Sequence, residues 1–401
     1  MLRWVAPAAA VAVAAAVTVA TTAAARADNH PVLPPITAEQ LLTNVLQPTT
    51  QALSGTVKVT SDLGLPEIPG LSGAVTGTGV VPGGAASVAA GSSTTSPALT
   101  GLTTLLTGTN TLRVWADGPD RSRVAVISQG GESDIVRNGT DLWLWQSAGK
   151  QALHATLPAR PAGATAPQLT PAQQQELQKV VGQLPTTPQQ AAQKLLTLAG
   201  PTTGVTLDAT TTVAGHAAYQ IVATPKDKGT LVARVVVAID AQTHVPLRTE
   251  VYSTQRSAPA VSVGFTDVSF TAPPADTFAF TPPAGTTVQQ WQAPSGKHDA
   301  PSATTGTKPQ VSTTGTGWAT VVVAHLPAGS LPQAGTGTKG TGTKGAGVLA
   351  MLPAVSGSWG TGHALSGTLF SVLVTDNGTV AAGAVPVTAL EAALAQAGSG
   401  Q

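Results

Sequence analysis

Seven histidines, at positions 30, 154, 216, 244, 298, 325 and 363, are the residues best suited to hold zinc or move protons near neutral pH. None has the His-x-x-x-His or His-Glu-x-x-His spacing that sets two imidazoles on one helical face, so each is expected to be a surface or loop histidine. Cysteine is absent from all 401 residues, which excludes disulfides, thiolate metal sites, a thiol nucleophile and an N-terminal lipid-bearing cysteine. No Gly-x-Ser-x-Gly occurs to expose a serine on a strained turn. Gly149-Lys150 and Gly296-Lys297 lack the upstream glycine and following Ser/Thr of a phosphate loop. Asp134 and Asp141 flank an Asn-Gly pair and are expected to shape a turn rather than form a catalytic pair. These readings speak against a serine hydrolase, a metalloenzyme and a nucleotide-binding protein.

The charge pattern removes another class. Net charge is +1 and no run of Lys or Arg exceeds two, so the basic footprint that nucleic-acid binding requires is missing. What remains is apolar. Only 3% of the chain is aromatic, yet DLWLWQS places Trp143 and Trp145 on one side of a short strand, with Leu142 and Leu144 on the other. In TLRVWAD, Leu112 and Val114 similarly alternate with Arg113 and Trp115. Strands apolar on both sides need cover on both sides. Trp143 and Trp145 therefore either seal a filled core or line an apolar hollow. Arg113, Arg121, Arg123 and Arg137 either meet an anionic head group at a rim or are solvated edge charges.

The elements that carry these residues read as a long antiparallel meander. TLRVWAD, SRVAVIS, SDIVRNG, DLWLWQS and QALHATL are separated by Gly118-Pro119-Asp120, Gln129-Gly130-Gly131, Asn138-Gly139 and Ser147-Ala148-Gly149, spacers too short for anything but hairpins. Ahead of them, Thr37 and Gln40 form a capping box for a helix with Leu41, Leu42, Val45 and Leu46 on one face. After them, Thr170-Pro171 with Gln173, and Thr187-Pro188 with Gln190, open two Ala- and Gln-rich helices, the second stopped by Gly200. Strands resume in VAGHAAYQIVATP, LVARVVVAID, VPLRTEVYS and VSVGFTDVSF, and the segment closes with DTFAFTPPAGTTV. Asn138-Gly139-Thr140 and Asn377-Gly378-Thr379 match the glycosylation pattern, but a hairpin turn accounts for both.

Residues 1–27 open with one positive charge at Arg3, followed by a long apolar run and a small-x-small end at Ala25-Arg26-Ala27. They predict a signal peptide, or an uncleaved anchor, and an exported chain in the cell envelope or outside it. A Gly/Ser/Thr/Ala-rich stretch at 66–108 predicts a flexible insertion. Residues 291–315 predict a linker, and 316–397 a small C-terminal α+β domain: the segment GWATVVVAHL, a loop or linker carrying a GTGTK duplication, a short helix near AGVLAMLPAV, the hairpin LFSVLVTDNGTVAAGAVPV and a last helix TALEAALAQ.

DGPDRSRVAV leading to DIVRNGTDLWLW, then VAGHAAYQIVATP, VVVAIDAQTHVPLRTEVYS, and FTDVSF followed by TFAFTPPAGTTV, resembles as an ordered set the LolA-like and RseB-like periplasmic lipoprotein-carrier superfamily. The resemblance implies an α+β fold over 36–290: an antiparallel half-open β-barrel with covering helices. It implies an apolar cavity that shelters an acyl chain, without catalysis or cofactor. The positions expected along that cavity are Trp115, Val124, Val126, Val136, Leu142, Trp143, Leu144, Trp145, Tyr219, Val235 and Val237, with Arg113, Arg121 and Arg123 at its rim. The expected partner is a lipid or lipoprotein. A regulatory reading adds a membrane-bound regulatory protein, contacted through the C-terminal module. A third reading is a cell-wall-associated structural protein whose Thr/Gly-rich stretches are spacers.

Overall fold

The structure, a computed structural model, describes residues 30–65, 108–128, 131–157, 200–292, 310–325 and 351–398. The N-terminal segment 1–27, the insertion but for Gly108, the two Ala- and Gln-rich helices and the GTGTK duplication lie outside the described residues.

Helix α1 (Ala38–Val45) begins as its sequence dictates. The Gln40 backbone N–H donates to Thr37 Oγ1 and the Thr37 N–H donates to Gln40 Oε1, so the capping box is closed in both directions. Then follow β1 (Ala52–Ser61), β2 (Gly108–Asp117), β3 (Arg121–Ser128), β4 (Gly131–Asn138), β5 (Asp141–Gln146) and β6 (Gln151–Thr156). The second half holds β7 (Thr203–Val213), β8 (His216–Pro225), β9 (Val232–Asp240), β10 (Pro246–Ser253), β11 (Pro259–Ser269) and β12 (Thr287–Gln292).

These strands make one open sheet in the order β12-β6-β5-β4-β3-β2-β1-β11-β10-β9-β8-β7. Each half is a meander of hairpins, and the halves join where β1 pairs antiparallel with β11. The β4–β5 connection is the two-residue loop Gly139-Thr140, with Asn138 and Asp141 paired across it. Gly139 takes a φ of +62° at the first loop position, where a Cβ would be strained. At the next hairpin the left-handed residue is Lys150, φ +45°, and not the preceding Gly149.

Three elements depart from the sequence expectation. β12 pairs in parallel with β6, with Gln290 level with His154, so an otherwise antiparallel sheet ends in a parallel strand. The long connection from β11 that allows this crosses one face of the sheet. In addition, Gln310–Thr314 forms a strand, β13, inside the stretch expected as linker, and Ala354–Gly357, placed near a helix by its apolar neighbours, is strand β15. QVSTT lacks apolar alternation, because an edge strand can be held by ladder hydrogen bonds alone.

The second sheet contains β13, β14 (Val321–His325), β15, β16 (Gly360–Ser366), β17 (Ser371–Thr375) and β18 (Thr379–Gly383), in the order β13-β14-β18-β17-β16-β15. Helix α2 (Val387–Gly398) lies on it, with Leu390, Ala393 and Leu394 buried against Val321, Val323, Leu373 and Ala381. The two sheets share contacts. Ser253 Oγ donates to the Thr368 carbonyl at 2.6 Å, the Leu231 N–H to the Ala384 carbonyl at 2.7 Å, and Trp318 Nε1 to Thr203 Oγ1 at 2.8 Å. No helix among the described residues is long and apolar enough to cross a membrane.

Candidate functional site: two faces of the large sheet

Because side chains alternate along a strand, the register sorts every candidate residue onto one of two faces. One row runs Val114, Val124, Ile135, Leu144, Leu153 across β2 to β6. A neighbouring row joins Val57, Leu112 and Val126, and Leu142 lies opposite Ala155 on the same side. This first face is aliphatic. Val57, Val59, Leu112 and Val126 are buried together, while Val114, Val124, Ile135, Leu142, Leu144 and Leu153 are half-buried.

The opposite face carries the aromatic and charged residues. One row is Trp115, Arg123, Val136, Trp143, His154 and Gln290; the next is Arg113, Ala125, Asp134, Trp145 and Ala152. The segment after β11 lies over these rows. Phe278, in the 3₁₀ turn Ala275–Phe278, is 1% exposed. The Phe280 ring sits 5.4 Å from that of Trp143 and 6.2 Å from that of Trp145. His154 stacks on Trp143 at 4.2 Å, with Nε2 2.8 Å from Asp141 Oδ1 and Nδ1 2.9 Å from Gln290 Oε1. The tryptophans thus belong to a packed aromatic layer beneath the strap that delivers β12.

The residues expected along one cavity therefore separate into three groups. Val124, Val126, Leu142 and Leu144 share the aliphatic face of β3 to β5. Trp115, Val136, Trp143 and Trp145 share the opposite face. Tyr219, Val235 and Val237 lie on the aliphatic side but at the far end, packed in the cluster of Ala38 and Leu41 from α1; the Tyr219 hydroxyl donates to the Pro34 carbonyl at 2.9 Å. The sequence shows alternation within each strand, but not which face the next segment of chain will cover.

The arginines are engaged. Arg113 and Arg123 lie over the Trp115 ring at 5.1 and 5.5 Å, and Arg121 lies 6.0 Å from the Phe278 ring. Arg121 also pairs with Asp117, Arg137 with Asp120, and Arg123 with Asp134. Arg123 Nη1 donates to the Thr277 carbonyl at 3.4 Å, which ties it to the strap. Asp134 is 2% exposed, and burial pushes its carboxyl above the usual value against the pull of Arg123. Its Oδ1 finds no hydrogen-bond partner among the described residues.

The described histidines serve local structure. His216 Nδ1 meets Asp240 Oδ2 at 3.2 Å, and Asp240 Oδ1 also accepts from the backbone of Gln242 and Thr243 in the β9–β10 turn. His325 meets Thr379 Oγ1 at 2.9 Å and His363 the Leu352 carbonyl at 3.0 Å. Among the described residues no group of three His, Cys, Asp or Glu could hold a metal ion.

No family model and no curated protein matches the chain. Among solved structures, the complex of MucA with MucB from Pseudomonas aeruginosa is 15% identical with a TM-score of 0.37, covering 88% of this chain and 94% of that chain. A conserved protein from Thermus thermophilus is 11% identical at a TM-score of 0.32, covering 63% and 99%. A LolA superfamily protein from Nitrosomonas europaea is 11% identical at a TM-score of 0.21, covering 61% and 98%. The chain thus has LolA-superfamily and MucB structures among its structural neighbours.

Proposed function

We propose that the chain is an exported, non-enzymatic binding protein whose half-open barrel holds the acyl chain of a lipid or of a lipidated partner against the aliphatic face of β2 to β6. The observation that supports this reading is the row Val114, Val124, Ile135, Leu144, Leu153, five aliphatic side chains in register and half-buried. Strands lie about 4.8 Å apart, so the row is roughly 19 Å long and suits an extended hydrocarbon chain. Such a chain gains about 0.8 kcal/mol for each methylene taken out of water. It asks for no hydrogen bonds, and these five side chains offer none.

Mass spectrometry of organic extracts from the purified full chain should recover a co-purified lipid. A fluorescent fatty acid should then bind the stripped protein, and Leu144→Asp, which sets a charge in the middle of the row, should abolish that binding. Full affinity in Leu144→Asp, or no lipid and no response to added fatty acids or lipopeptides, overturns the reading.

A further inference from the structure

Beside β1 the non-aliphatic face carries a pattern that acyl binding does not use. Lys58 of β1 stands opposite Gly264 of β11, and Gly264 stands opposite Arg248 of β10. Two cations therefore end a three-residue row whose middle position has no side chain. With two strand spacings between them, their α-carbons are about 10 Å apart. Gly264 is required here for space: a Cβ would fall 2.9 Å from Arg248 Cγ and 3.2 Å from its Cβ, so the glycine makes room for the arginine stem to lie across the strand.

The turn that joins β7 to β8 forms one wall of an open hollow here. Thr212 at its edge, with Thr60 and Ser262, lines a hollow of about 400 Å³ together with Lys58 and Arg248. That lining contains no carboxylate. Lys58 is exposed and has no ion pair among the described residues. Arg248 Nε lies 3.5 Å from Glu250 Oε1, and Glu250 also accepts from the Tyr252 hydroxyl at 3.2 Å.

We infer that this hollow is an oxyanion site for the phosphomonoester of a small hydroxylated molecule. The Arg248 stem crosses Gly264 toward the Lys58 side, and an ammonium and a guanidinium lining the same hollow can both meet phosphate oxygens with charge-assisted hydrogen bonds. The hydroxyls of Thr60, Thr212 and Ser262 donate or accept as a polyol requires. The volume falls in the range of small-molecule sites, about 300–1,000 Å³, which leaves room for the carrier beyond the phosphate. The site lies on the opposite side of β1 and β11 from the aliphatic side chains, and it stands whether or not those hold an acyl chain.

Calorimetric titration of the full chain tests it, with glucose 6-phosphate, inorganic phosphate and glucose as probes, and sedimentation with phosphatidylcholine vesicles with and without phosphatidic acid. Glucose 6-phosphate should bind at low salt and glucose should not. Lys58→Gln and Arg248→Gln should each weaken binding about tenfold or more, with thermal midpoints close to the parent for exposed Lys58. Binding confined to phosphatidic acid vesicles, with none of glucose 6-phosphate, overturns the assignment to a small hydroxylated molecule. Equal binding of glucose, unchanged affinity in Lys58→Gln, or no binding of any phosphate probe overturns the inference.

Discussion

Phe280 rests its ring 5.4 Å from that of Trp143, and this contact ties the connection after β11 to the middle of the large sheet. It also explains why tryptophan is spent on β5. A strand that carries aliphatic side chains toward one face needs large surfaces on the other to fasten a strap that has no ladder of its own until β12.

Removing the strap's anchors should therefore unfasten it. Phe278, 1% exposed, should cost about 3–5 kcal/mol on replacement by alanine; Phe280, half-buried, should cost less. Urea unfolding midpoints check the order. In Phe278→Ala the amides of β12 should exchange with solvent faster than those of β3, because β12 is held only at the sheet's edge.

Asp134 should make stability depend on pH in an unusual direction. Burial holds its carboxyl above the usual value of 3.8, Glu132 adds to the shift, and Arg123 opposes it. The folded state thus binds this proton more readily than the unfolded chain does. Its contribution is fully present below the unfolded value and is lost as pH rises through the folded one. The stability of the parent minus that of Asp134→Asn, measured by urea melts between acid and neutral pH, should fall with rising pH. A difference that rises would mean that the pair with Arg123 outweighs burial.

Local rules were read correctly where they are local. Thr37 and Gln40 are three residues apart, and their reciprocal bonds need nothing else; Gly139 needs only its neighbours to turn the chain. Lys150 shows the limit, since it takes the left-handed conformation beside a glycine better suited to it. The candidate site was legible strand by strand, as Leu142 and Leu144 against Trp143 and Trp145. That the tryptophan side meets Phe278 and Phe280 depends on a crossing more than a hundred residues later in the chain, which no period-two pattern contains. The parallel strand TVQQWQ was missed for the same reason. Gly264 did carry a signal, a glycine between Val263 and Phe265 in an alternating strand, which marks close approach of another group.

Helix α1 should be held more by its buried face than by its cap. Leu41 is fully buried among Val205, Ile221 and Val235, so Leu41→Ala should cost about 2–5 kcal/mol. Thr37→Ala, which loses one half of the capping box, should cost about 0.5–2 kcal/mol. Thermal or urea melts of the two single variants and the double variant check both the order and whether the effects add. Since both residues act on the same helix, a shortfall from additivity is expected in the double variant.

The separation of the two faces gives a last, optical test. Trp143 and Trp145 lie under Phe280 on the side away from Leu142 and Leu144. An acyl chain on the aliphatic face should therefore leave their environment almost unchanged, although each is adjacent in sequence to a residue of that face. In a variant that keeps only Trp143 and Trp145, with the other tryptophans replaced by phenylalanine, saturating fatty acid should not shift the emission maximum. Trp143→Phe should likewise bind the fatty acid with parental affinity, while Leu144→Asp should not. A large emission shift together with weakened binding in Trp143→Phe would move the acyl chain to the aromatic face, and the strap would then have to open to admit it. The two outcomes differ in one further respect: displacement of the strap should free His154 from Gln290 and expose the β12 amides to exchange, whereas occupation of the aliphatic face should leave β12 protected.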